Sequence, residues 1–598
     1  MLASKETGWA VWLTGLIGGF AIYGLLLPGH VPSVLAGNLS NSDDMMRLSQ
    51  VRDLLGGQGW FDVDQSRFIT PEGGAMHWSR IPDIFIASLI MMATPFVGTA
   101  NAEIFAALAW PCLVLVALVS GLLLLVRRYG GGLTGQLIAL ATVATFAPIF
   151  QFWPGRIDHH GFNAVLTVWA FAALGWQARP LAGSFLAGLL TVALVSVALE
   201  ALPMAVGLIG AAGLFWLTGE RDRETFAFGL SLGLGALIFA ALDAPGWSGA
   251  RAVCDAYGWA HMRAFLAVGA GFTVLGVAGY RLDTLPRRMI TAGVIGGVVI
   301  ALATLLARDC IADPYAGVGD TARTAWLSLV SEARSLASKF DQVPAVAIFY
   351  FAPPLMSLFA LGWLVWQRRE VSLGALALIL ALALVVTVWQ VRAMIFAQVL
   401  AVVPIALAGA MALRHWRTVR GPLPLIGFAA IMLVLSPKSW WMISTNAFAA
   451  RAEASVAGEI REPGFATPGL ALRTCQSKAA YAELAGISGG TVFSPIDLGA
   501  AVITHTPHRA LIAPYHRNVQ AIGFAAETWA MDPDAAVDAL RSAGADYLLV
   551  CPGLAELDVH VGRGPDGLAA RLLAGEVPEG LEPLRMGETL EIFAVTRR

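Results

Sequence analysis

The stretch Val371–Leu413, VSLGALALILALALVVTVWQVRAMIFAQVLAVVPIALAGAMAL, is uncharged except for Arg392. About 20 apolar residues are enough to cross roughly 30 Å of hydrocarbon as a helix, so this run reads as two membrane spans joined by a tight loop at Gln390–Arg392. An arginine so deep in an apolar run is costly unless it is paired or faces an anion. Working outward, further uncharged stretches begin near Trp9, Ala102, Leu133, Gly161, Leu181, Ala201, Phe226, Phe265, Met289, Ala345 and Pro422. Together they make about thirteen spans. Of the 598 residues 57% are hydrophobic and 13% charged, which excludes a soluble globular protein, where about 25% charged is usual. The chain reads as a polytopic α-helical membrane protein. No internal repeat is present, which argues against a transporter built from inverted halves.

Ile81–Val97 is also apolar but short, and it contains Asp83 and Pro95. If it does not cross, the basic groups Lys5, Arg127-Arg128, Arg179, Arg221/Arg223, Arg281/Arg287/Arg288, Arg368-Arg369 and Arg414/Arg417/Arg420 share one side. The positive-inside rule makes that side cytoplasmic, so Ile81–Val97 is expected to be interfacial or re-entrant. Loops 28–101 and 307–343, the turn at Trp153–His160, Glu200 and everything after Pro437 then lie outside. Residues 1–439 form the membrane part. Residues 440–598, richer in Gly, Pro, His and charge, form a soluble domain of mixed α/β type, with helical spacing over Ala535–Ala543 and a buried strand in DYLLVCP.

The 39 basic and 41 acidic residues nearly cancel, and no basic run tracks a phosphate backbone, so nucleic acid is not expected as a partner. The five cysteines lack zinc or redox spacing. Cys475 and Cys551 share the outer domain, where a disulfide is expected.

Polar residues able to do chemistry gather in the outer loops. SDDMMRLSQVRDLL begins with Ser42 as expected N-cap, places Asp43 and Asp44 at a helix N-terminus, and repeats Leu48, Val51, Leu54 and Leu55 on one face, as in a helix lying on the membrane surface. FWPGRIDHHGF concentrates Arg156, Asp158, His159 and His160 between two spans. On an extended segment Asp158 and His160 point the same way and can share a divalent ion. WLSLVSEARSL carries Glu332 among apolar neighbours.

SDDMMRLSQVRD resembles the first-loop motif of oligosaccharyltransferase catalytic subunits, glycosyltransferases of the GT-C superfamily. GRIDHHGF is similar to their second-loop motif, LVSEARS to their fifth-loop S-V-S-E motif, and VRAMIFAQV to the run whose arginine faces the donor phosphate. The resemblance extends in order from residue 1 to about 440. It implies Asp43, Asp158 and His160 as metal ligands, with Mn²⁺ or Mg²⁺ as the cofactor, Asp43 and Glu332 as catalytic residues, and Arg392 on the donor phosphate. Asp44, Arg156 and His159 are supporting residues, and counting back from Arg52-Asp53 favours Asp43 over Asp44 as the ligand. In the C-terminal domain Asp497 and Gly499 hold the D-x-G positions of the family's W-W-D-Y-G motif, while both tryptophans are absent. The function implied is transfer of a sugar or oligosaccharide from a polyprenyl-(pyro)phosphate donor to a protein or glycolipid acceptor, at the periplasmic face of a bacterial inner membrane with the N-terminus cytoplasmic. The alternatives are a transferase acting on a lipid or surface polysaccharide, and a multi-pass transporter.

Cysteine-accessibility labelling checks this sidedness: positions 127 and 369 should react only from the cytoplasm, and 158 and 332 only from outside. Labelling of position 158 from the cytoplasm alone would reverse the topology.

Overall fold

A computed structural model describes residues 9–70, 73–219, 221–243, 254–310, 320–327, 330–448, 470–587 and 589–597. Lys5 and parts of loops 28–101 and 307–343 and of the soluble domain lie outside the described residues. Each of the thirteen apolar stretches is helical: Trp9–Leu35, Thr99–Arg128, Gly132–Val143, His160–Leu174, Pro180–Val197, Leu202–Leu217, Asp222–Asp243, Trp259–Gly279, Leu285–Leu306, Pro344–Arg368, Val371–Trp389, Met394–Val419 and Pro422–Leu435. By length and composition ten helices can cross a membrane, or eleven if Pro422–Leu435 and Pro437–Ala447, bent by 71°, form one span. Gly132–Val143 and His160–Leu174 are apolar but shorter, which accounts for the difference from thirteen. Met394–Val419 lies at the centre, buried along most of its length. The position 439/440 falls inside Pro437–Ala447, whose Ser444 donates to the Ala345 carbonyl of the bundle (3.1 Å).

The basic loops gather at one end. There Arg128 donates to the Ala172 carbonyl (2.8 Å), Arg221 to Leu174 (3.1 Å), Arg368 to Tyr129 (2.7 Å) and Arg414 to Gly130 (3.0 Å), which satisfies carbonyls that helix ends leave open. The polar loops form the other end. Ile81–Val97 starts there, where Asp83 accepts from Arg47 (2.8 Å), and it is followed through Gly98 by Thr99–Arg128, whose Glu103 pairs with Arg52 (2.7 Å). Arg47 and Arg52 belong to one helix, Ser42–Leu55, so Ile81–Val97 begins and ends at the same end of the bundle.

The C-terminal part is a sheet with helices on it. Strands β1 (Thr491–Phe493), β2 (Arg509–Ala510), β3 (Tyr547–Val550), β4 (Leu581–Met586) and β5 (Glu591–Val595) run in the order β2-β1-β3-β5-β4. The β1 pairs are parallel, the β5 pairs antiparallel. The strand expected in DYLLVCP is β3, and the helix expected over Ala535–Ala543 is Pro533–Ser542. Trp529, Phe493 and Phe593 fill the core.

This domain is fastened to the first polar loop by backbone bonds and to the segment between Asp222–Asp243 and Trp259–Gly279 by charge. Ala510 of edge strand β2 donates to the Arg67 carbonyl (2.9 Å) and accepts from Ile69 (3.0 Å), so the loop extends the sheet and covers its edge. Asp255 accepts from His516 (2.7 Å) and from two nitrogens of Arg517 (2.6 and 2.8 Å). Ser42–Leu55 is therefore not a helix resting on a membrane surface. Its Met45 and Met46 enter the core of the C-terminal domain, while Leu48 and Val51 enter that of the bundle; Leu55 is exposed. The apolar pattern is read by two proteinaceous layers rather than by lipid.

Disulfides join Cys254 to Cys310 and Cys475 to Cys551, and Cys112 is free and buried. Alkylation of the denatured chain without reductant should therefore modify Cys112 alone, as read by peptide mass spectrometry. Modification of Cys475 or Cys551 would contradict the pairing.

Candidate active site

The N-terminus of Ser42–Leu55 sets the site. Its cap is Asn41, whose side chain accepts from the Asp44 N–H (3.0 Å), and not Ser42, whose hydroxyl instead donates to the Asp497 carbonyl of the C-terminal domain (3.1 Å). The adjacent acids have different fates. Asp44 is fully buried: Oδ1 accepts from the backbone of Ile157 (2.7 Å) and Asp158 (3.0 Å), and Oδ2 from Arg156 (3.3 Å). Asp43 is partly exposed, and among the described residues no hydrogen bond reaches its carboxylate. Burial, with Glu332 and Asp158 nearby, pushes the Asp43 carboxyl up to about 6 against the pull of His160 and Arg156.

The second loop closes onto this helix. Gly155 turns it at φ +91, a conformation that L side chains rarely adopt, and a Cβ there would lie 3.1 Å from Val34. Arg156 follows, bonded to Gln151 (2.6 Å), Asp44 and Asp158. Asp158 Oδ1 accepts the backbone N–H of His160 (3.2 Å), the first residue of the next helix. The expected extended segment is thus a turn into a helix, with His159 as its N-cap residue.

Arg392 sits in a single turn, Val391–Ala393, between its two spans. Its guanidinium contacts Glu332 (3.1 Å) and Glu200 (3.6 Å), and Val391 N–H donates to the Arg334 carbonyl (2.9 Å), which ties the Glu332 turn to the Arg392 turn. Burial alone would raise the Glu332 carboxyl, but Arg392 and then His160 outweigh it and hold it below its usual range. Asp497, across the domain interface, is pushed up to about 7 by burial, by Glu556 and by Asp43.

Asp43, Asp44, Asp158, Glu200 and Glu332 thus face, in one pocket, two guanidiniums, Arg156 and Arg392, and the His160 imidazolium, whose proton Glu200 and Asp158 hold up to about 10; carboxylates still outnumber cations, which suits a divalent cation. Among the described residues the one group of three His, Cys, Asp or Glu ligand atoms within 4.8 Å of one another is His159, His160 and Glu200, not Asp43, Asp158 and His160. Hydrogen bonding disqualifies that trio as a ligand set. Arg47, which can only donate, is bonded to His159 Nδ1 (3.1 Å), so the proton of neutral His159 sits on Nε2. Burial, His160 and Arg47 all hold His159 well below its usual range, hence neutral. The residues that fit a cation are Asp43, with an unbonded carboxylate, Asp158, with lone pairs left over, and His160 through Nε2. The two carboxylates repel each other, while His160 attracts both.

All the residues singled out in the sequence come to this pocket: Asp43, Asp44, Arg156, Asp158, His159, His160, Glu332 and Arg392 line it, and Asp497 approaches from the C-terminal domain. Two participants were not assigned a role. Arg47 is fully buried, holding Asp83 and His159 under the Trp78 ring, and nothing in its sequence neighbourhood marks it. Glu200 did carry a signal, being the one charged residue between Pro180 and Gly219.

No protein-family model matches the chain, and no curated protein matches it. Solved structures do. The chain is similar to the archaeal oligosaccharyltransferase AglB of Archaeoglobus fulgidus in complex with an inhibitory peptide and a dolichol-phosphate (TM-score 0.64, 15% identity), covering 98% of this chain and 74% of that one. The same enzyme tethered to an acceptor peptide containing the NVT sequon gives TM-score 0.65 at 15% identity, covering 99% and 75%. Its complex with zinc and sulfate gives 0.58 at 16%, covering 98% and 73%. The chain has the oligosaccharyltransferase fold, as the GT-C-like expectation required.

Because Asp43 holds a proton up to about pH 6, a cation must displace it below that value. If an Mn²⁺ ion binds here, its affinity should fall with an extra slope of about tenfold per pH unit below 6 from this group, on top of the slope that His160, held up to about 10 by Glu200 and Asp158, contributes above it, as measured by electron paramagnetic resonance titration. Asp43→Asn should remove that part of the slope. Equal wild-type affinity at pH 5 and 7 would contradict it.

Proposed function

We propose that the chain is a divalent-metal-dependent glycosyltransferase of oligosaccharyltransferase type, moving a sugar or oligosaccharide from a polyprenyl-(pyro)phosphate donor to a protein or glycolipid acceptor at the outer face of the membrane. The observation that carries it is the convergence, on an oligosaccharyltransferase fold, of an unbonded carboxylate at Asp43 with Asp158, His160, Glu332 and Arg392. The solved relative's complexes with dolichol-phosphate, with an acceptor peptide and with zinc and sulfate support a lipid-linked donor, a peptide acceptor and a metal in the same fold. We assign Mn²⁺ or Mg²⁺ because two carboxylates and one imidazole suit either, the nitrogen favouring Mn²⁺.

In this reading Asp43, Asp158 and His160 would hold the ion, which when bound would supply Lewis-acid neutralisation of a leaving phosphate. Arg392 grips that phosphate from the membrane side by charge-assisted bonds. At rest Glu332 occupies Arg392 (3.1 Å); an arriving phosphate displaces it, and the freed carboxylate orients the acceptor beside Asp43. Donor binding thereby prepares the acceptor site. The segment Ser494–Gly499, SPIDLG, keeps Asp497 and Gly499 but has no tryptophan, which supports a second reading in which the acceptor is a lipid or surface polysaccharide. The positive-inside rule supports a cytoplasmic N-terminus and a periplasmic C-terminal domain, the arrangement we propose for a bacterial inner-membrane protein.

Comparing membrane glycolipids and glycoproteins from cells with and without the chain separates the acceptors: loss of glycopeptides supports the first reading, loss of a glycolipid alone the second, and no change in either contradicts both. With purified protein, Arg392→Ala should weaken donor binding by about 1.5–3 kcal/mol. Glu332→Gln should depress turnover while leaving donor affinity equal or tighter, since Arg392 loses a competing anion. Weaker donor binding in Glu332→Gln with none in Arg392→Ala would reverse the assigned roles.

A further inference from the structure

Glu200 belongs to no motif, yet it sits between the two halves of the pocket. It lies in a single turn, Leu199–Ala201, where the chain breaks between Pro180–Val197 and Leu202–Leu217, so the backbone delivers its side chain into the pocket from a span end. Its carboxylate is 9% exposed. Oε1 meets His160 Nδ1 at 2.5 Å, and Oε2 lies 3.6 Å from Arg392 Nη1.

We infer that Glu200 is a positioning residue that fixes the tautomer of His160 and couples it to Arg392, so that the metal ligand and the phosphate grip are held at a set spacing. The inference rests on the proposed metal role of His160. A carboxylate only accepts, so Nδ1 keeps its proton beside Glu200, and when the ring gives up its second proton it is the Nε2 lone pair that is left for a cation. The negative charge also makes that lone pair a stronger donor, as carboxylate partners of metal-bound histidines do. The other carboxylate oxygen is turned toward Arg392, which opposes rotation of Glu200. His159 cannot substitute for His160, because Arg47 fixes it in the opposite tautomer. Neighbouring histidines are thus sorted by their partners, one presenting a lone pair and the other an N–H.

The test is Mn²⁺ binding to the full-length chain in detergent by electron paramagnetic resonance, with thermal melting as the fold control. Glu200→Gln keeps size and an acceptor oxygen but loses the charge, so affinity should fall about tenfold; Glu200→Ala loses orientation too, and the fall should approach about 100-fold. A role exercised through His160 has a further signature: in a His160→Ala background, Glu200→Ala should weaken binding no further. Wild-type affinity in Glu200→Ala would overturn the inference while leaving the metal reading intact. Additive losses in the double variant would overturn it in favour of direct ligation by Glu200. Absence of Mn²⁺ binding by the wild type would overturn both.

Discussion

A fully buried carboxylate has to be paired, and Asp44 is paired with a single neighbour in the fold, the second polar loop. Its bonds to the Ile157 and Asp158 backbone and to Arg156 clamp the start of Ser42–Leu55 onto that loop. Breaking one partner of such a buried pair costs about 3–5 kcal/mol, so the clamp fixes the geometry around it. One consequence is that the preceding residue, Asp43, lies near Glu332 and Asp158 with its carboxylate unspent. Another is that the helix must be covered on both sides, by the bundle below and the C-terminal domain above. The site is assembled by this docking rather than by any one loop.

The pocket sorts its charges by what each already holds. Asp44 and Arg156 are tied to each other and to the loop, whereas Asp43 is left short of partners and Arg392 is held by two carboxylates. His159 is neutralised by burial and an arginine, while His160 faces a carboxylate. The same residue types, adjacent in sequence, therefore take different chemistry from their second neighbours.

The spans, their partition into a basic and a polar end, and Arg392 were legible because bilayer thickness imposes a length and a charge bias that any chain must obey. Asp43, Asp158 and Glu332 were legible as polar residues where apolar ones were expected, and more firmly through the family resemblance. The N-cap was misplaced by one residue because Asn41 and Ser42 have equal claims by type, and tertiary contact with Asp497 takes the serine. Arg47 was illegible since its partners Asp83 and His159 are distant in sequence. The surface helix was read as facing lipid because its periodicity records an apolar neighbour without saying which.

The account stands or falls on where the ion binds. Anomalous X-ray scattering at the manganese edge, from crystals grown with Mn²⁺, locates it directly. The account predicts one peak within bonding distance of Asp43, Asp158 and His160 Nε2, with Asp44 still on the loop backbone and Glu200 still on Nδ1. A peak held by His159 and Glu200, or by Asp44 in place of Asp43, would contradict it.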